Sequence, residues 1–448
     1  MPEIILSINA GSSSVKVSVY KASTTDPSSR NPVLLAEAQI EGLTAPPATL
    51  KYERQKQDSP LDSPSHSFAG KSKEPFKIKG KKVGDITSQE DAFKWILDWL
   101  KKDDGLPELQ DIEDIRYTCH RVVHGGDYPR SQVVDEDTYH HIETLSDLAP
   151  LHNAPALSII RAVTKHLPHA TNVAYFDSSF HATIPPHIHT YPIDQEIAKT
   201  NQLRKYGFHG ISYKFIVNAV ADHLSKPKSS LNIIALHLGS GASACCIKAG
   251  QSLDTSMGLT PLAGLPGATR SGSIDPSLVF HFTHEAGMPS SSSSTSMRIT
   301  RAEEILNKQS GWKSLTGTTD FGEISSRGTP ECELAFAIFV DRVLGYVASY
   351  FVKLGGEVDA LVFSGGIGER GFRLRKSVVE GVRCLGFEID EKRNESIEEG
   401  VVVDVGKEGA RFRTLVCRTD EQLQMARGVL EERGRWEEAG ESGKVGGG

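Results

Sequence analysis

Two segments about half a chain apart share one pattern, in which a β-rich run leads into a Gly/Ser turn and then into a second β-rich run. The first spans 7–19 (SINAGSSSVKVSV) and the second spans 235–247 (ALHLGSGASACCI). Two β-rich runs joined by a short turn of small residues are typical of a β-hairpin. Because the hairpin recurs, the sequence predicts two related domains that face one another.

Strands and helices alternate along most of the chain, which predicts α/β domains. Three apolar runs read as strands that each lead into a glycine-bearing turn: Ile4–Ile8, Ile233–Leu238 and Ala360–Phe363. Apolar residues between 93 and 100 recur with the helical period. A longer helix is predicted from Glu333 to about Leu354, where a Gly-Gly pair would end it.

Three segments are predicted to be surface loops or disorder. Residues 54–82 are rich in Lys, Ser, Pro and Asp, 288–298 contain a run of serines, and the tail after Trp436 is rich in Glu and Gly. Such compositions do not supply the apolar surface that a packed element needs.

Composition excludes several classes of protein. A chain of 448 residues predicts two or three domains, and 38% apolar with 24% charged residues is ordinary for a globular protein. A formal charge of −7 without a basic stripe argues against a nucleic-acid partner. The sequence lacks an apolar run of the roughly 18 residues that a membrane helix needs, and no signal peptide is recognisable in it. We therefore expect a cytoplasmic protein. The six cysteines lack metal-site or disulfide-framework spacing.

The two Gly/Ser hairpins are candidate phosphate-binding loops, because small residues let backbone N–H groups approach an anion. In the first hairpin, Asn9, Ser12, Ser14 and Lys16 would face the phosphates. A third glycine-rich turn, 364–369, follows a predicted strand, where nucleotides bind in α/β sheets. Each turn alone is equally typical of an ordinary turn without a ligand.

Arg121 and Arg270 lie among Val and Gly, which is unusual for exposed charges. A fixed guanidinium suits the equatorial oxygens of a transferring phosphoryl group. His152, His181 and His209 are candidate donors to phosphoryl oxygen, and hydrogen-bonded core histidines are the alternative. Two carboxylates, at positions 177 and 421, are candidate partners for Mg²⁺ or for an arginine.

In their order along the chain, these motifs resemble those of the acetate kinase family. The matching segments are 9–16, 120–129, 149–153, 176–181, 204–210, 254–261, 269–272, 366–369 and 419–421. The resemblance covers nearly the whole chain apart from the three predicted loops. It implies two duplicated ribonuclease H-like (actin-like ATPase) α/β domains with an active-site cleft between them. It also implies a homodimer and direct in-line phosphoryl transfer between ATP and acetate with Mg²⁺, or Mn²⁺ in its place.

The resemblance also implies roles for individual residues. Arg121 and Arg270 would hold the carboxylate and the transferring phosphoryl group, His209 would stabilise the transition state, and Asp177 would orient an arginine or assist the metal. Asn9 would contact the transferring phosphate and the metal, and Glu421 would bind Mg²⁺ through water. The acetate methyl group would meet Val123, Leu151, Phe208 and Pro261. The nucleotide would meet Ser12, Lys16, His237, Gly239, Ser240, Gly241, Asp320, Phe321, Gly366, Ile367, Gly368 and Arg370.

We expect the N-terminal acetokinase domain at 1–182, joined by a C-terminal helix at about 421–448. The nucleotide-binding and dimerisation domain would span 183–420.

The chain departs from the family pattern mostly around the nucleotide. The replaced positions are Ser240, Gly322, Arg370, Ser273, Ile211 and Tyr213. We therefore expect ATP and ADP to be used with looser base selectivity than is usual in the family. Pyrophosphate as the phosphoryl donor, propionate or butyrate as the acceptor, and a non-catalytic nucleotide-binding switch remain as alternatives.

Overall fold

The computed structural model describes residues 3–11, 13–22, 31–55, 75–146, 150–282, 285–290, 293 and 299–445. Within this part of the chain, the side chains of 150–152, 282 and 437–445 are not described.

The N-terminal part forms an eight-stranded sheet in the order β5-β4-β3-β2-β1-β6-β8-β7. Its strands are β1 Glu3–Ala10, β2 Ser14–Ala22, β3 Val33–Glu41, β4 Ala48–Arg54, β5 Phe76–Gly84, β6 Ile115–Val122, β7 Gln132–Val133 and β8 Thr171–Phe176. Strands β1 to β5 form an antiparallel meander, whereas β6 lies parallel to both β1 and β8.

The second sheet has six strands in the order β11-β10-β9-β12-β14-β13. Its strands are β9 Ile233–Leu238, β10 Ala242–Lys248, β11 Gln251–Thr255, β12 Ala360–Ser364, β13 Val402–Asp404 and β14 Arg413–Cys417. Both sheets contain a three-stranded antiparallel meander whose first strand, β1 or β9, pairs with one parallel strand, β6 or β12, which in turn pairs with a second parallel strand, β8 or β14. The repeated sequence pattern therefore corresponds to a repeated strand order, and both predicted hairpins, β1–β2 and β9–β10, are present.

Helices cover the sheets on both faces. They are α1 Gln89–Lys101, α2 Glu136–Leu145, α3 Pro150–His166, α4 Pro186–His189, α5 Gln195–Thr200, α6 Gly210–His223, α7 Leu278–Phe282, α8 Arg301–Lys308, α9 Gly311–Thr316, α10 Phe321–Arg327, α11 Pro330–Lys353, α12 Gly365–Arg370, α13 Phe372–Gly381, α14 Glu391–Glu395 and α15 Glu421–Val445. Short 3₁₀ turns lie at Ile112–Asp114, Ser179–His181, Lys228–Ser230 and Arg383–Leu385.

The two longer helices predicted from the sequence are present. The Ser88 side chain caps α1 by accepting from the Asp91 N–H, and the apolar stripe of α1 is buried on the first sheet. Helix α11 starts with Pro330 at its first turn, a few residues earlier than predicted. It ends at Lys353 with Leu354 as the C-cap residue, after which Gly355 and Gly356 adopt positive φ angles of 67° and 75°.

Three loop predictions are corrected in part. Residues 76–82, predicted as loop, belong to β5, which pairs with β4 along its whole length, and 56–74 lie outside the described residues. Residues 437–445 of the tail, predicted as loop, are helical, because α15 continues to Val445. The serine run falls largely outside the described residues, although Pro289 forms a bridge with Thr300. The predicted glycine turn at 366–369 is instead the short helix α12.

Helix α15 returns the end of the chain to the first sheet. Met425, Ala426 and Val429 are buried there against Ile5 and Tyr20. The predicted domain boundaries, at 182 and near 421, stay predictions.

Helix α11 is long and apolar enough to cross a membrane, alone in that respect among the described helices. A helix in a protein core passes the same test, and Phe336, Phe339 and Val343 of α11 are buried in the core of the second sheet. The opposite face, with Leu334 and Val352, is exposed.

Candidate active site

Arg121 lies at the end of β6 and is held by two carboxylates. Its Nε donates to both oxygens of Asp177 at 3.3 and 3.2 Å, and its Nη2 donates to Asp177 Oδ2 at 2.7 Å. Its Nη1 lies 3.1 Å from Glu421 Oε2, at the start of α15. A guanidinium has five N–H donors, so about two remain free to bind a ligand.

The charges in this cluster depend on one another. Burial raises the pKa of Asp177, the charge of Arg121 opposes that rise, and Glu421 adds to it. The two carboxylates in turn raise the pKa of Arg121 against the effect of its burial. Arg121 is therefore a permanent, rigidly positioned cation.

His209 is the N-cap residue of α6 and has a left-handed backbone conformation, with φ 59°. The following Gly210 donates its N–H to the Asp177 carbonyl at 2.9 Å, and a Cβ at Gly210 would collide with that carbonyl. This contact fixes the first turn of α6 against the segment that carries Asp177.

The ring of His209 stacks on that of His237, with centroids 4.1 Å apart and planes inclined by 26°. Burial lowers the pKa of His209 well below its usual value, and His237, Arg121 and Arg270 lower it further. Burial lowers the pKa of His237 to about 4. Both imidazoles are therefore neutral at physiological pH.

Arg270 reaches the same place from the segment that follows β11. A Cβ on Gly241, in the β9–β10 turn, would collide with its guanidinium, so glycine is required where the two meet. Burial, followed by repulsion from Arg121, lowers the pKa of Arg270 to about 10. Two arginines close to one another favour an anionic ligand between them.

One cavity of about 290 Å³ gathers most of the predicted acetate and phosphoryl residues from both sheets. The predicted residues that line it are Asn9, Arg121, Val123, Asp177, Phe208, His209, Gly241, Pro261 and Arg270. Ala10, Gly11 and Pro155 line it too and were not predicted. The individual roles of the predicted lining residues stay predictions.

One wall of the cavity is apolar. Val123 packs against a buried cluster that contains Phe208, and Pro261 lines the same cavity. The Leu151 side chain lies outside the described part of the chain. An apolar wall beside two arginines suits a small carboxylate with a short alkyl group.

The predicted nucleotide residues occupy several places. Gly239, Ser240 and Gly241 form the β9–β10 turn, next to α12, which contains Gly366, Ile367 and Gly368. Both elements begin at the carboxyl ends of the adjacent parallel strands β9 and β12, where α/β sheets bind ligands. Arg370 folds back over this helix and donates to the Gly366 carbonyl at 3.2 Å.

Other predicted nucleotide residues are not brought to the cavity. Lys16 pairs with Glu37 at 2.7 Å beside a separate pocket on the first sheet. The Phe321 ring is only 4% exposed and packs on Trp312 and neighbouring core aromatics, so it does not offer a free face to adenine. Asp320 is exposed and caps α10. Ser12 lies outside the described residues.

Hydroxyl groups behind the two histidines were not predicted as site residues. Ser243 lies 2.8 Å from His209 Nδ1, and Ser212 lies 2.8 Å from His237 Nδ1. The signal in the sequence is weak, because a serine in a Gly/Ser-rich turn or on a helix has many ordinary roles. Tyr213, noted only as a departure from the family pattern, bonds to Ser243.

The donor set fits a magnesium ion that is carried by phosphates. No group of three or more His, Cys, Asp or Glu side chains suited to a metal occurs among the described residues. Asn9 and Glu421 carry side-chain oxygen atoms of the type that Mg²⁺ binds, although one Glu421 oxygen pairs with Arg121. Mg²⁺ in phosphoryl-transfer sites needs only one or two carboxylates, because phosphates and waters complete its shell.

Comparison with known proteins places this site in a family. A sequence model of the acetokinase family matches residues 4–427. The probable acetate kinase of Chaetomium globosum is 52% identical over 478 residues, covering 97% of this chain and 99% of that relative. The crystal structure of Porphyromonas gingivalis acetate kinase has a TM-score of 0.77 at 30% identity, covering 96% of this chain and 99% of that chain. A propionate kinase from Francisella tularensis has a TM-score of 0.77 at 32% identity, with coverage of 95% and 98%.

Two sheets of shared strand order, with a charged cavity between them, define a kinase of the duplicated actin-like ATPase fold. Within that class, the chain belongs to the acetokinase family. The predicted fold class and family are therefore confirmed.

Proposed function

We propose that this chain catalyses reversible phosphoryl transfer between ATP and acetate, forming acetyl phosphate and ADP by direct in-line attack. The carrying observation is the convergence of Arg121, Arg270 and His209, from both halves of the chain, on one cavity with an apolar wall. Membership of the acetokinase family supports the same reaction.

The arginines supply position and charge rather than covalent chemistry. The free N–H groups of Arg121 and the guanidinium of Arg270 hold the carboxylate and the phosphoryl oxygens, so that attacking and leaving oxygens lie in line. His209 donates a hydrogen bond to the phosphoryl group, where negative charge accumulates. Asp177 keeps Arg121 in place through its paired hydrogen bonds.

Asn9 and Glu421 would hold Mg²⁺, or Mn²⁺, directly or through water. The metal neutralises phosphate charge when it is bound. Gly239, Ser240 and Gly241 and the start of α12 would approach the nucleotide phosphates with backbone N–H groups. A site that excludes water when the two halves approach would limit hydrolysis of ATP.

Propionate is the second candidate acceptor, since the Francisella tularensis protein of similar structure is a propionate kinase. One methylene changes discrimination by only about 1–3 kcal/mol. We expect acetate to have the higher kcat/KM, because Val123 and Phe208 belong to a packed cluster that restricts the cavity.

The purified enzyme tests these alternatives in one panel. Acetate, propionate and butyrate are each combined with ATP, GTP, ITP or pyrophosphate at matched Mg²⁺, and acyl phosphate is measured as its hydroxamate. We expect acetate with ATP to be active and other purine triphosphates to be tolerated. Activity with pyrophosphate alone would overturn the nucleotide assignment, and binding of ATP without any turnover would favour the non-catalytic switch.

We also infer a homodimer that uses the exposed face of α11. Leu334 and Val352 are 55% and 75% exposed and lie five helical turns apart on one face. Between them, Ala337, Gly345 and Ala348 are exposed small residues that let two helices approach closely. A cytoplasmic location stays a prediction.

A further inference from the structure

The imidazole of His209 is held from behind by two hydroxyl groups. Ser243 Oγ, on β10, lies 2.8 Å from His209 Nδ1. Tyr213 Oη, one turn along α6, lies 2.6 Å from the same Ser243 oxygen. Ser243 and Tyr213 are both fully buried, so each proton in this chain of hydrogen bonds needs an acceptor within the protein.

Counting donors and acceptors fixes the direction of the chain. Burial raises the pKa of Tyr213 well above its usual value, so the hydroxyl keeps its proton and has to donate it. Its own proton then points to Ser243, the hydroxyl acceptor that the described contacts give it. Ser243 accepts from Tyr213 and donates its proton to His209 Nδ1, so that every donor is used.

The other ring nitrogen faces the cavity. A Cβ placed on Gly241 would lie 3.7 Å from His209 Nε2 and would collide with Arg270, and all three residues line the cavity. Because His209 is neutral among His237, Arg121, Arg270 and the nearby His181, it has only one N–H group to donate. Which nitrogen carries that proton decides whether the ring attracts or repels an anionic oxygen in the cavity.

We propose that Ser243 and Tyr213 are positioning residues that keep His209 in the Nε2–H tautomer, with its single donor aimed at the transferring phosphoryl group. Neither residue touches substrate, and both act through His209. The catalytic consequence rests on the proposed function, whereas the tautomer itself does not.

His237 is held by the same kind of arrangement, so both stacked histidines are fixed in orientation. Its Nδ1 lies 2.8 Å from Ser212 Oγ, and that oxygen lies 2.9 Å from Thr419 Oγ1. The stacked rings are thus each anchored at Nδ1 by a serine that has a second hydroxyl behind it. Anchoring both rings prevents either from rotating away from the stack.

The tautomer is measured by NMR on protein labelled with ¹⁵N-histidine, with the His209 signals assigned by their loss in His209→Gln. Two-bond ¹H–¹⁵N correlations distinguish the Nε2–H from the Nδ1–H tautomer. We expect Nε2–H in the wild type and a mixture of tautomers in Ser243→Ala. An Nδ1–H tautomer in the wild type, or an unchanged tautomer in Ser243→Ala, would overturn the proposal.

A matched control comes from a second buried His–Ser pair. Ser252 Oγ lies 2.7 Å from His181 Nδ1, but His181 Nε2 also bonds to the Phe208 carbonyl at 2.9 Å, which accepts only. Ser252→Ala therefore removes an equivalent buried hydroxyl and should leave the His181 tautomer as Nε2–H.

Kinetics supply the second readout. We expect Ser243→Ala to lower kcat by at least about tenfold, toward the 10²–10³-fold that loss of a whole donor costs, with little change in KM. Tyr213→Phe keeps the ring and should give a smaller fall in kcat, because Ser243 then rotates freely. Unchanged kcat in both variants would overturn the positioning role. If the NMR result holds but acetate is not a substrate, only the proposed function fails.

Discussion

At the scale of single residues, Arg270 is a cation of the site whose charge is disfavoured by burial. We expect Arg270→Ala to lower kcat by about 10²–10³-fold, since a fixed donor to the transition state is lost. The coupled acetate assay measures this change. Arg116→Ala is the matched control, because Arg116 is exposed on β6 and lies away from the cavity. Near-normal turnover of Arg270→Ala would remove that residue from the site.

The lowered pKa of Arg270 leads us to expect that kcat/KM and kcat depend on pH. Its pKa of about 10 means that the guanidinium loses its charge as pH rises through that value. We expect kcat/KM to fall above about pH 10, and kcat to fall only at higher pH, because a bound anion stabilises the cation. A pH profile of both constants, with circular dichroism to verify folding, measures the effect. A flat profile beyond the point where the protein stays folded would contradict the lowered pKa.

At the scale of elements, the β9–β10 turn determines where Arg270 lies. We expect Gly241→Ala to lower kcat by as much as about 10²-fold, because the new methyl group collides with the Arg270 guanidinium and displaces it from its place in the cavity. Thermal stability should change little, since the turn borders a cavity. Gly434→Ala on α15 is the control, because a Cβ there meets no atom within 4 Å. Equal activities of the two variants would show that the turn does not position Arg270.

The elements that the sequence predicted are those whose signal is local. Apolar spacing defines α1, and a Gly/Ser turn between β-rich runs defines each hairpin. Strand β5 was missed because its sequence, FKIKGKKVG, is rich in Lys and Gly, and only pairing with β4 makes it a strand. Likewise, the Glu- and Gly-rich tail is helical as an extension of α15, whose start is anchored on the first sheet.

The site residues that could be predicted from the sequence are likewise those that lie in local motifs. Arg121, His209 and Arg270 lie in motifs that could be recognised, and the structure brings them to one cavity. The contacts of Ser243 with His209 and Tyr213 join residues 34 and 30 positions apart, so no local spacing reveals them. Phe321 was assigned to adenine from its motif, whereas its ring completes a core of aromatic side chains.

At the scale of the whole molecule, duplication explains why the site lies between two sheets. Each copy of the hairpin contributes a turn, one near Asn9 and the other at Gly241, and both turns line the same cavity. Neither half alone contains both the Arg121–Asp177 pair and Arg270, so activity requires both halves. Because α15 supplies Glu421 to that pair, this helix has to be packed on the first sheet for the Arg121 cluster to be assembled.

The exposed face of α11 gives the last prediction. We expect the protein to be a dimer of the 48.8 kDa chain, because two such faces bury Leu334 and Val352 against each other. Introducing Leu334→Lys together with Val352→Lys should shift the mass measured by light scattering toward that of one chain, since buried like charges repel. Val401→Lys, at a position that is 52% exposed outside α11, is the control and should stay dimeric. A monomeric wild type, or a double variant that remains dimeric, would contradict this interface, and kcat of the monomeric variant would then show whether the cavity functions within one chain.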